Sequence, residues 1–284
     1  MIRKFSRPLK WMSSRTASAG AWSFRTPSGV RNLLLMSLFA LVPASAQSPP
    51  PASRIVPPPA SFHLPENQKL TYSVEWHMIN AGTATILLKH SNSAEHLHST
   101  ADTSGMVNKL YSVHDTFNAE IDPHTFCTKG ISKHSEEGSR RLDRKINFDY
   151  QRHKSHVDDD DLKTGKKKHA EFEIPWCVTD VVTGFFYASS LALAPGFSET
   201  FPVNDGGKTT DVRIEVEGRN RIKVPSGEFE TLRVKAEPIS GPLKGKGTLW
   251  VWFSDDTRHL PVQMKSKLGF ANLLFQLQRV EVPR

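Results

Sequence analysis

The chain has 284 residues and a formal net charge of +8 at pH 7. Its first 46 residues hold seven basic residues and no acidic residue, so the remainder carries a net charge of only +1. Because nucleic-acid-binding proteins need a strongly basic surface, this near-neutral remainder argues against that class and predicts no nucleic-acid partner. The length is sufficient for one large domain or two small domains.

Residues 1–46 show the order of features that is typical of a signal peptide. An apolar run over residues 33–42 follows Arg31, and a small-residue cleavage site ends at Ala46. The run is too short to span a bilayer, which needs about 20 apolar residues. We therefore predict cleavage after Ala46, a periplasmic or secreted protein, and no stable membrane span after cleavage. An uncleaved membrane anchor is the alternative.

A proline-rich stretch, residues 47–66, separates the predicted signal from the rest of the chain. Its sequence is QSPPPASRIVPPPASFHLPE. Proline at this density prevents both helix formation and β-pairing. We predict a disordered, semi-extended tether, with a docking segment for a partner as the alternative. A single β-rich domain is expected over residues 67–284.

The predicted domain opens on a strict alternation of apolar and polar residues. Leu70, Tyr72 and Val74 fall on one face of a predicted strand, while Thr71 and Ser73 fall on the other. Similar segments recur along the chain, and they predict about a dozen strands joined mostly by short turns. Short turns require antiparallel pairing. The predicted fold class is therefore mainly β, with a large antiparallel sheet that is curled or forms an incomplete barrel.

Residues 176–194 interrupt this alternation. Apolar side chains recur there at roughly helical spacing, at Val178, Val181, Val182, Phe185, Phe186 and Leu193. Pro175 precedes the segment and Pro195 follows it, as expected at the two ends of a helix. Because a sheet with one apolar face must be covered, we predict that one amphipathic helix packs on the concave face of the sheet.

The two cysteines, Cys127 and Cys177, lie about 50 residues apart. Disulfides form in the oxidising compartments that exported proteins reach. The sequence leaves two alternatives open, which are a disulfide between these residues or two separate buried thiols. Two cysteines at this spacing do not fit a cysteine zinc site.

The sequence LWVWF, at residues 249–253, has bulky apolar side chains on both faces of a predicted strand. One face would meet the core, and the other would pack under the helix or line an apolar cleft. A cleft between helix and sheet would bind a lipid-like or other apolar small molecule. Its candidate ligand-binding residues are Tyr72, Trp76, Phe185, Phe186, Trp250 and Trp252.

Histidine is frequent in this chain, and His96 and His98 share one face of a predicted strand. This spacing binds a metal if a third ligand converges on the pair. The candidates for that third ligand are His77, His90 and His114. With 12 histidines in the chain, chance pairs are common. We therefore favour exposed strand histidines and predict no metal and no cofactor.

Two charged segments resemble functional motifs in part. The run DDDDLKTGKKK, at residues 158–168, lacks the alternating acidic residues and the glycine of a calcium loop. We interpret it as a solvated hairpin loop. In SDDTRHLP, residues 254–261, Asp256 and His259 suggest a hydrolase, but no G-x-S-x-G motif accompanies them. Local turn formation explains these residues, so no catalytic residue is predicted.

The most apolar stretch near the C-terminus is LGFANLLFQL, at residues 268–277. A strand that closes the barrel is the simpler interpretation. A membrane-facing or partner-facing edge is the alternative.

Three segments in this order resemble a known family of exported bacterial proteins. They are PWCVTDVVTGFFYASSL, VPSGEFETLRVKAEP and GTLWVWFSDDTRHLPVQMKSKLGFANLLFQL. The family is domain of unknown function 3108, and the resemblance covers roughly residues 65–282. It implies an antiparallel sheet curled into an incomplete barrel with a helix against it. The family has no established catalytic residues, so the resemblance implies none in this chain.

Three functions follow, in decreasing order of support. The first is an exported, non-enzymatic envelope protein that holds an apolar ligand between helix and sheet. The second is an envelope scaffold or assembly factor that binds protein partners. The third is a hydrolase, which lacks a visible pairing of nucleophile and base.

Overall fold

A computed structural model describes residues 53–59, 62, 64–65, 67–91, 94–268 and 271–282. The predicted signal peptide and its cleavage site lie outside the described residues. Fifteen strands and two short helices make up the elements of the described chain. Within this part of the chain, no helix combines the length and the apolar character that a bilayer crossing requires.

The elements follow one another in a simple order. The first half of the chain contains β1 (Lys69–Trp76), β2 (Ile79–Ser91), β3 (Ala94–Thr103), α1 (Gly105–Leu110), β4 (Val113–Ile121), β5 (Thr128–Glu137), β6 (Arg140–Asp149), β7 (Lys154–Asp161) and β8 (Lys166–Glu173). The second half contains β9 (Thr179–Asp180), α2 (Thr183–Ser190), β10 (Ser198–Asp205), β11 (Lys208–Val224), β12 (Gly227–Pro238), β13 (Gly247–Ser254), β14 (Pro261–Leu268) and β15 (Ala271–Glu281).

All fifteen strands join a single sheet that is not closed into a barrel. Its order is β8-β7-β6-β5-β4-β3-β2-β1-β15-β14-β13-β12-β11-β10-β9, so β8 and β9 are the two edges. The first and last strands of the domain, β1 and β15, pair in the middle of the sheet. Every ladder is antiparallel except that between β9 and β10. The predicted antiparallel sheet is confirmed, with fifteen strands rather than about a dozen.

The core lies on one face of this sheet. A row of directly paired, buried residues crosses six consecutive strands from β2 to β7. The row consists of Leu88, Leu97, Ala119, Ile131, Ile146 and Val157. Because side chains alternate between the faces of a strand, the intervening residues form a polar outer face. This is the physical basis of the period-two pattern in the sequence.

Residues 174–178 carry the chain from β8 at one edge of the sheet to β9 at the other, and α2 then leads to β10. The predicted helix over residues 176–194 is too long, because α2 spans only Thr183–Ser190. Ahead of it, Thr179 and Asp180 form β9 and pair in parallel with β10. The Asp180 carboxylate accepts hydrogen bonds from the backbone N–H groups of Val182 and Thr183, each at 2.8 Å, and so fixes the turn that leads into the helix.

A disulfide between Cys127 and Cys177 ties this crossover to the connection between β4 and β5. Of the two alternatives that the sequence left open, the structure has the disulfide. Next to it, the Thr128 backbone N–H donates to the Val178 carbonyl at 2.9 Å. The Thr128 hydroxyl donates to the Asp180 carboxylate at 2.9 Å. The crossover is therefore held by a covalent bond and by the polar contacts of the adjacent residue Thr128.

Asp180 is the most deeply buried carboxylate of this region, with 1% of its surface exposed. Burial raises the pKa of the Asp180 carboxyl, while hydrogen bonds from Thr183, Thr128 and Val182 oppose this rise. A buried carboxylate is tolerated only when such donors replace its water shell.

The turn between β10 and β11 packs against β7 and β8. The Ser155 hydroxyl donates to the Gly207 carbonyl at 2.7 Å. Gly207 has a φ of 87°, and a Cβ there would lie 2.2 Å from a methyl group of Val157. Only glycine satisfies both conditions. This contact joins the two halves of the curled sheet without a hydrogen-bonded ladder between them.

Part of the predicted tether is docked on the domain. Ile55 is 1% exposed and belongs to the hydrophobic core. The Val56 backbone N–H donates to the Tyr187 hydroxyl of α2 at 3.1 Å. Residues 53–59 therefore differ from the predicted disordered tether, because an isoleucine between the proline clusters inserts into the core.

We expect the double substitution Cys127→Ala/Cys177→Ala to lower the free energy of unfolding. In the chain-entropy model, a crosslink across 50 residues stabilises by about 4 kcal/mol. Guanidinium denaturation of the oxidised protein and of the double variant measures the difference. A thiol reductant should bring the parent protein to the stability of the variant and leave the variant unchanged. Equal stability of the oxidised parent and the variant would contradict this role.

Ile55→Ala should lower the free energy of unfolding by about 2–4 kcal/mol, because it leaves a cavity in the core. The matched control is Val56→Ala, whose side chain is exposed and whose backbone hydrogen bond is kept. This control should change stability by less than about 0.5 kcal/mol. Similar small effects at both positions would show that residues 53–59 do not pack as described.

Candidate functional site

The six predicted ligand-binding residues do not form one site. Tyr72 and Phe186 are buried in the core, and the Tyr72 hydroxyl donates to the Pro261 carbonyl at 2.8 Å. Trp250 and Trp252 alternate with the buried Val251 and Phe253, so they lie on the opposite, outer face of β13. Trp76 and Phe185 are half-buried. The predicted residues are therefore divided between the two faces of the sheet.

Aromatic side chains fill the region around α2. The Tyr187 ring lies 4.7 Å from the Phe201 ring and 5.7 Å from the Phe126 ring, both edge-on. The His259 Nδ1 atom lies 2.8 Å from the Ser189 carbonyl oxygen. These contacts are those of a packed interface, in which edge-to-face rings contribute beyond their buried area.

The segment from Ser254 to Leu260 is a structured turn. The Ser254 hydroxyl donates to Asp256 at 2.8 Å and accepts from the Leu260 backbone N–H at 2.8 Å. Asp256 also pairs with Arg258 at 2.5 Å. His259 contacts the backbone of α2 instead of Ser254. A serine nucleophile would need a hydrogen bond to its base, and these two side chains are engaged elsewhere.

The run of four aspartates is not a solvated loop, because it forms the end of β7. Asp158, Asp159 and Asp160 each meet a basic partner on a neighbouring strand. These pairs are Asp158 with His169 at 2.9 Å, Asp159 with Arg144 at 2.5 Å and Asp160 with Lys167 at 3.3 Å. The loop is confined to residues 162–165. Cross-strand pairing with the lysines and His169 of β8 explains why this acidic run is tolerated in a strand.

Two of the three histidines predicted to assist His96 and His98 contact acidic residues. His114 pairs with Asp102, and His90 pairs with Glu95 at 2.5 Å. The His98 Nδ1 atom lies 2.7 Å from the Asn118 side chain. Among the described residues, no group of three close metal ligands includes His96 or His98.

An open groove of about 670 Å³ crosses the outer face of β2 to β6. Its lining mixes polar and apolar residues, with the polar side chains of Lys89, His96, His98, Asn118, Glu120 and Asn147 beside the apolar Leu87. Such a mixed lining does not favour an apolar ligand over a polar one.

The strongest exposed apolar feature lies at the β1–β2 turn and on α1. Met78 in the turn is 94% exposed, and Met106 and Leu110 on α1 are 71% and 74% exposed. The Ser104 backbone N–H donates to the Ala81 carbonyl at 2.9 Å, which holds α1 beside the start of β2. Large apolar side chains grouped in this way mark an interaction surface more often than a single exposed residue does.

Several connections at the same end of the strands contain lysines. We define the apolar-basic end as the connections at residues 77–78, 104–112, 162–165 and 239–246. Their sequences contain four lysines and no Asp or Glu; the lysines are Lys109, Lys163, Lys244 and Lys246. The connections at the other end of the strands include the acidic residues Asp122, Asp255 and Asp256. The connections at the two ends of the sheet therefore differ in charge and in apolar exposure.

The β1–β2 turn, which exposes Met78, has a strained backbone. His77 and Met78 have φ values of 49° and 66°, which is the left-handed conformation of a two-residue hairpin turn. Asn-Gly is the preferred sequence for such a turn, and other residues there cost roughly 1–2 kcal/mol each. Strain of this kind concentrates at functional positions. The turn thus keeps an exposed methionine at an energetic cost.

The family profile described as Protein of unknown function (DUF3108) matches residues 71–277. The chain belongs to this family. The match spans both arms of the sheet and the crossover that carries α2. No curated protein sequence matches the chain significantly.

Solved structures show likeness in fold. A β-barrel-like protein of domain of unknown function DUF1849 from Brucella abortus has 9% sequence identity and a TM-score of 0.55, with 81% of this chain and 99% of that chain covered. An incomplete, barrel-like sheet is thus a fold that another protein adopts at very low sequence identity.

Two further structures have lower scores. One is a protein from Bacteroides fragilis, described as exported and with a YmcC-like fold, at 11% identity and a TM-score of 0.31, covering 78% of this chain and 98% of that chain. The other is a protein from Parabacteroides distasonis, described as a lipoprotein, at 10% identity and a TM-score of 0.30, covering 78% and 97%. Scores of this size do not establish a shared fold.

Replacing His77-Met78 by Asn-Gly should raise the free energy of unfolding by about 1 kcal/mol, because the new residues adopt positive φ more readily. Urea denaturation of the parent protein and the double variant measures the change. A loss of stability would show that Met78 contributes packing that outweighs the backbone strain.

Proposed function

We propose that this chain is an exported, non-enzymatic envelope protein that binds the surface of an anionic lipid bilayer through its apolar-basic end. The observation that carries the proposal is the exposure of Met78, Met106 and Leu110 beside connections that contain lysines and no acidic residue. The predicted signal peptide supports the export part of the proposal.

The energetics favour a reversible membrane contact. Burying one large apolar side chain yields about 1.5–3 kcal/mol. Each lysine near an anionic lipid surface adds about 1 kcal/mol. Three such side chains and a few lysines are therefore sufficient for peripheral binding without a membrane-spanning segment.

The apolar-basic end is a better supported lipid contact than the predicted site between α2 and the sheet. An apolar ligand in that interface would have to displace the rings of Phe126, Tyr187 or Phe201, which contact one another there. The side chains of the apolar-basic end are already accessible. Lipid binding there needs no rearrangement of the core.

The second candidate function is an envelope scaffold that binds a protein partner through the same exposed side chains. Exposed methionines favour it as well, since flexible thioether side chains adapt to varied partners. A protein partner would not make binding depend on anionic lipid. The hydrolase hypothesis receives no support from Ser254 and His259, whose hydrogen bonds are made to other groups.

Vesicle flotation of the purified protein tests the proposal. Vesicles of phosphatidylglycerol and phosphatidylethanolamine should carry the protein, whereas vesicles of phosphatidylcholine alone should carry much less. Met78→Asp/Met106→Asp should weaken binding at least about tenfold, because each change removes an apolar contact and adds repulsion. The matched control is Val282→Asp, at an exposed apolar residue near the other end of β15. It should bind as the parent protein does.

The charge contribution has its own readout. Lys109→Gln/Lys163→Gln should weaken binding to the anionic vesicles and reduce its sensitivity to salt. Equal binding to both lipid compositions, or unchanged binding of the methionine variants, would overturn the proposal. A single protein captured reproducibly by crosslinking at Met106, with no vesicle binding, would favour the scaffold function.

A further inference from the structure

Two histidines and a glutamate meet on the outer face of β7 and β8. The antiparallel register places His156 directly opposite Glu171, and Asp158 directly opposite His169. His156 and His169 are therefore diagonal neighbours on one face, with ring centres 6.2 Å apart. One ligand atom from each of His156, His169 and Glu171 lies within 4.8 Å of the other two. Among the described residues, this is the one group of three potential metal ligands that comes so close.

The distances match those between the ligands of a tetrahedral metal ion. Ligands at about 2.0–2.1 Å from zinc lie about 3.3–3.4 Å from one another. The Glu171 carboxylate lies 3.2 Å from His156 Nδ1 and 3.7 Å from His169 Nε2. A small rotation of the half-exposed rings would bring all three atoms to coordination distance.

We propose that His156, His169 and Glu171 bind one divalent transition-metal ion of the zinc type. Two imidazoles and a carboxylate suit Zn²⁺, whereas Ca²⁺ and Mg²⁺ prefer sites made of oxygen ligands. Three protein ligands leave a fourth position for water or a small anion. The site is independent of the membrane contact proposed above.

Asp158 orients one of the ligands. Its carboxylate lies 2.9 Å from His169 Nδ1, which leaves His169 Nε2 directed at Glu171. A carboxylate on the second nitrogen of a histidine is the usual support of a metal-binding imidazole, because it fixes the tautomer and the ring orientation. We assign Asp158 as a positioning residue of the site.

The lysines near Glu171 do not compete with the two histidines for its carboxylate. The nearby lysines pair with other carboxylates, Lys154 with Glu173 and Lys167 with Asp160. Glu171 contacts His156 and His169 instead. A carboxylate shared by two imidazoles differs from the other acid–histidine contacts of this face, in which one imidazole meets one or two acids.

The site adjoins the groove that crosses the outer face of β2 to β6. Asn147, which lines the groove, is the direct cross-strand partner of His156. Polar side chains therefore continue from the metal ligands across β6. The fourth coordination position thus belongs to a wet, polar surface, which suits an exchangeable water or anion.

Isothermal titration of the full purified protein, prepared without a polyhistidine tag, with ZnCl₂ tests the proposal. One equivalent should bind, and His156→Ala/His169→Ala should remove this binding. Glu171→Gln, at an exposed position and with the same shape, should weaken it at least about tenfold. Asp158→Asn should weaken it about 10- to 100-fold, as loss of a supporting carboxylate does in other sites.

The matched control is His134→Ala. His134 is a half-exposed histidine that also contacts two carboxylates, Asp143 and Glu136, but no second imidazole. Its replacement should leave the Zn²⁺ equivalent intact. Far-ultraviolet circular dichroism establishes that each variant is folded, and Glu171→Gln serves if the double histidine variant is not.

Cobalt substitution gives a signal that only a metal-binding site produces. A cluster with a purely structural role would not give it. Co²⁺ at this site should produce the intense visible absorption of a four-coordinate ion, and the band should be lost in Glu171→Gln. No stoichiometric Zn²⁺ binding, or an equivalent that survives in His156→Ala/His169→Ala, would overturn the proposal. Either result would identify the three residues as a hydrogen-bonded cluster only.

Discussion

The crossover between the two edges of the sheet is the constraint on which the fold depends. The chain reaches one edge at β8 and must restart at the other edge, so that the later strands can return to pair β15 with β1. The Cys127–Cys177 disulfide and the Thr128–Asp180 contact hold this crossover in place. Because a long loop has a large conformational entropy, anchoring it in the middle stabilises the whole topology.

This anchoring separates two kinds of surface. One end of the sheet holds the disulfide, helix α2 and their aromatic contacts, and Ile55, which precedes β1, inserts into the same core. The other end has the connections that carry the exposed methionines and the lysines. The stabilising contacts and the proposed membrane contact therefore lie at different ends, so the exposed connections can carry strained or apolar residues while the core stays intact. The proposed metal site lies on a third surface, the outer face of β7 and β8.

The strands were well predicted, because burial of one face imposes a period of two on the residues. Helix α2 was predicted with the wrong bounds, since Asp180 and the parallel pairing of β9 stop the helix from extending toward the N-terminus. The sequence predicts a loop for the aspartate run because pairing between strands is not visible in it. Arg144 is distant in sequence, Lys167 falls inside the predicted loop, and His169 follows directly after it. The group of His156, His169 and Glu171 was missed for the same reason, since cross-strand register is not visible in spacing along the chain.

The sequence by itself determined the mainly β class, the family, the position of the helix-bearing crossover and the absence of a recognisable catalytic motif. These follow from local patterns, whose physical cause is the alternation of buried and solvated side chains. Tertiary structure alone decided which faces and ends the charged and apolar residues share. It divided the predicted ligand residues between two faces, paired the cysteines, and gathered Met78, Met106 and Leu110 at one end. Such groupings depend on strand order and register, which are set by long-range pairing across the whole sheet.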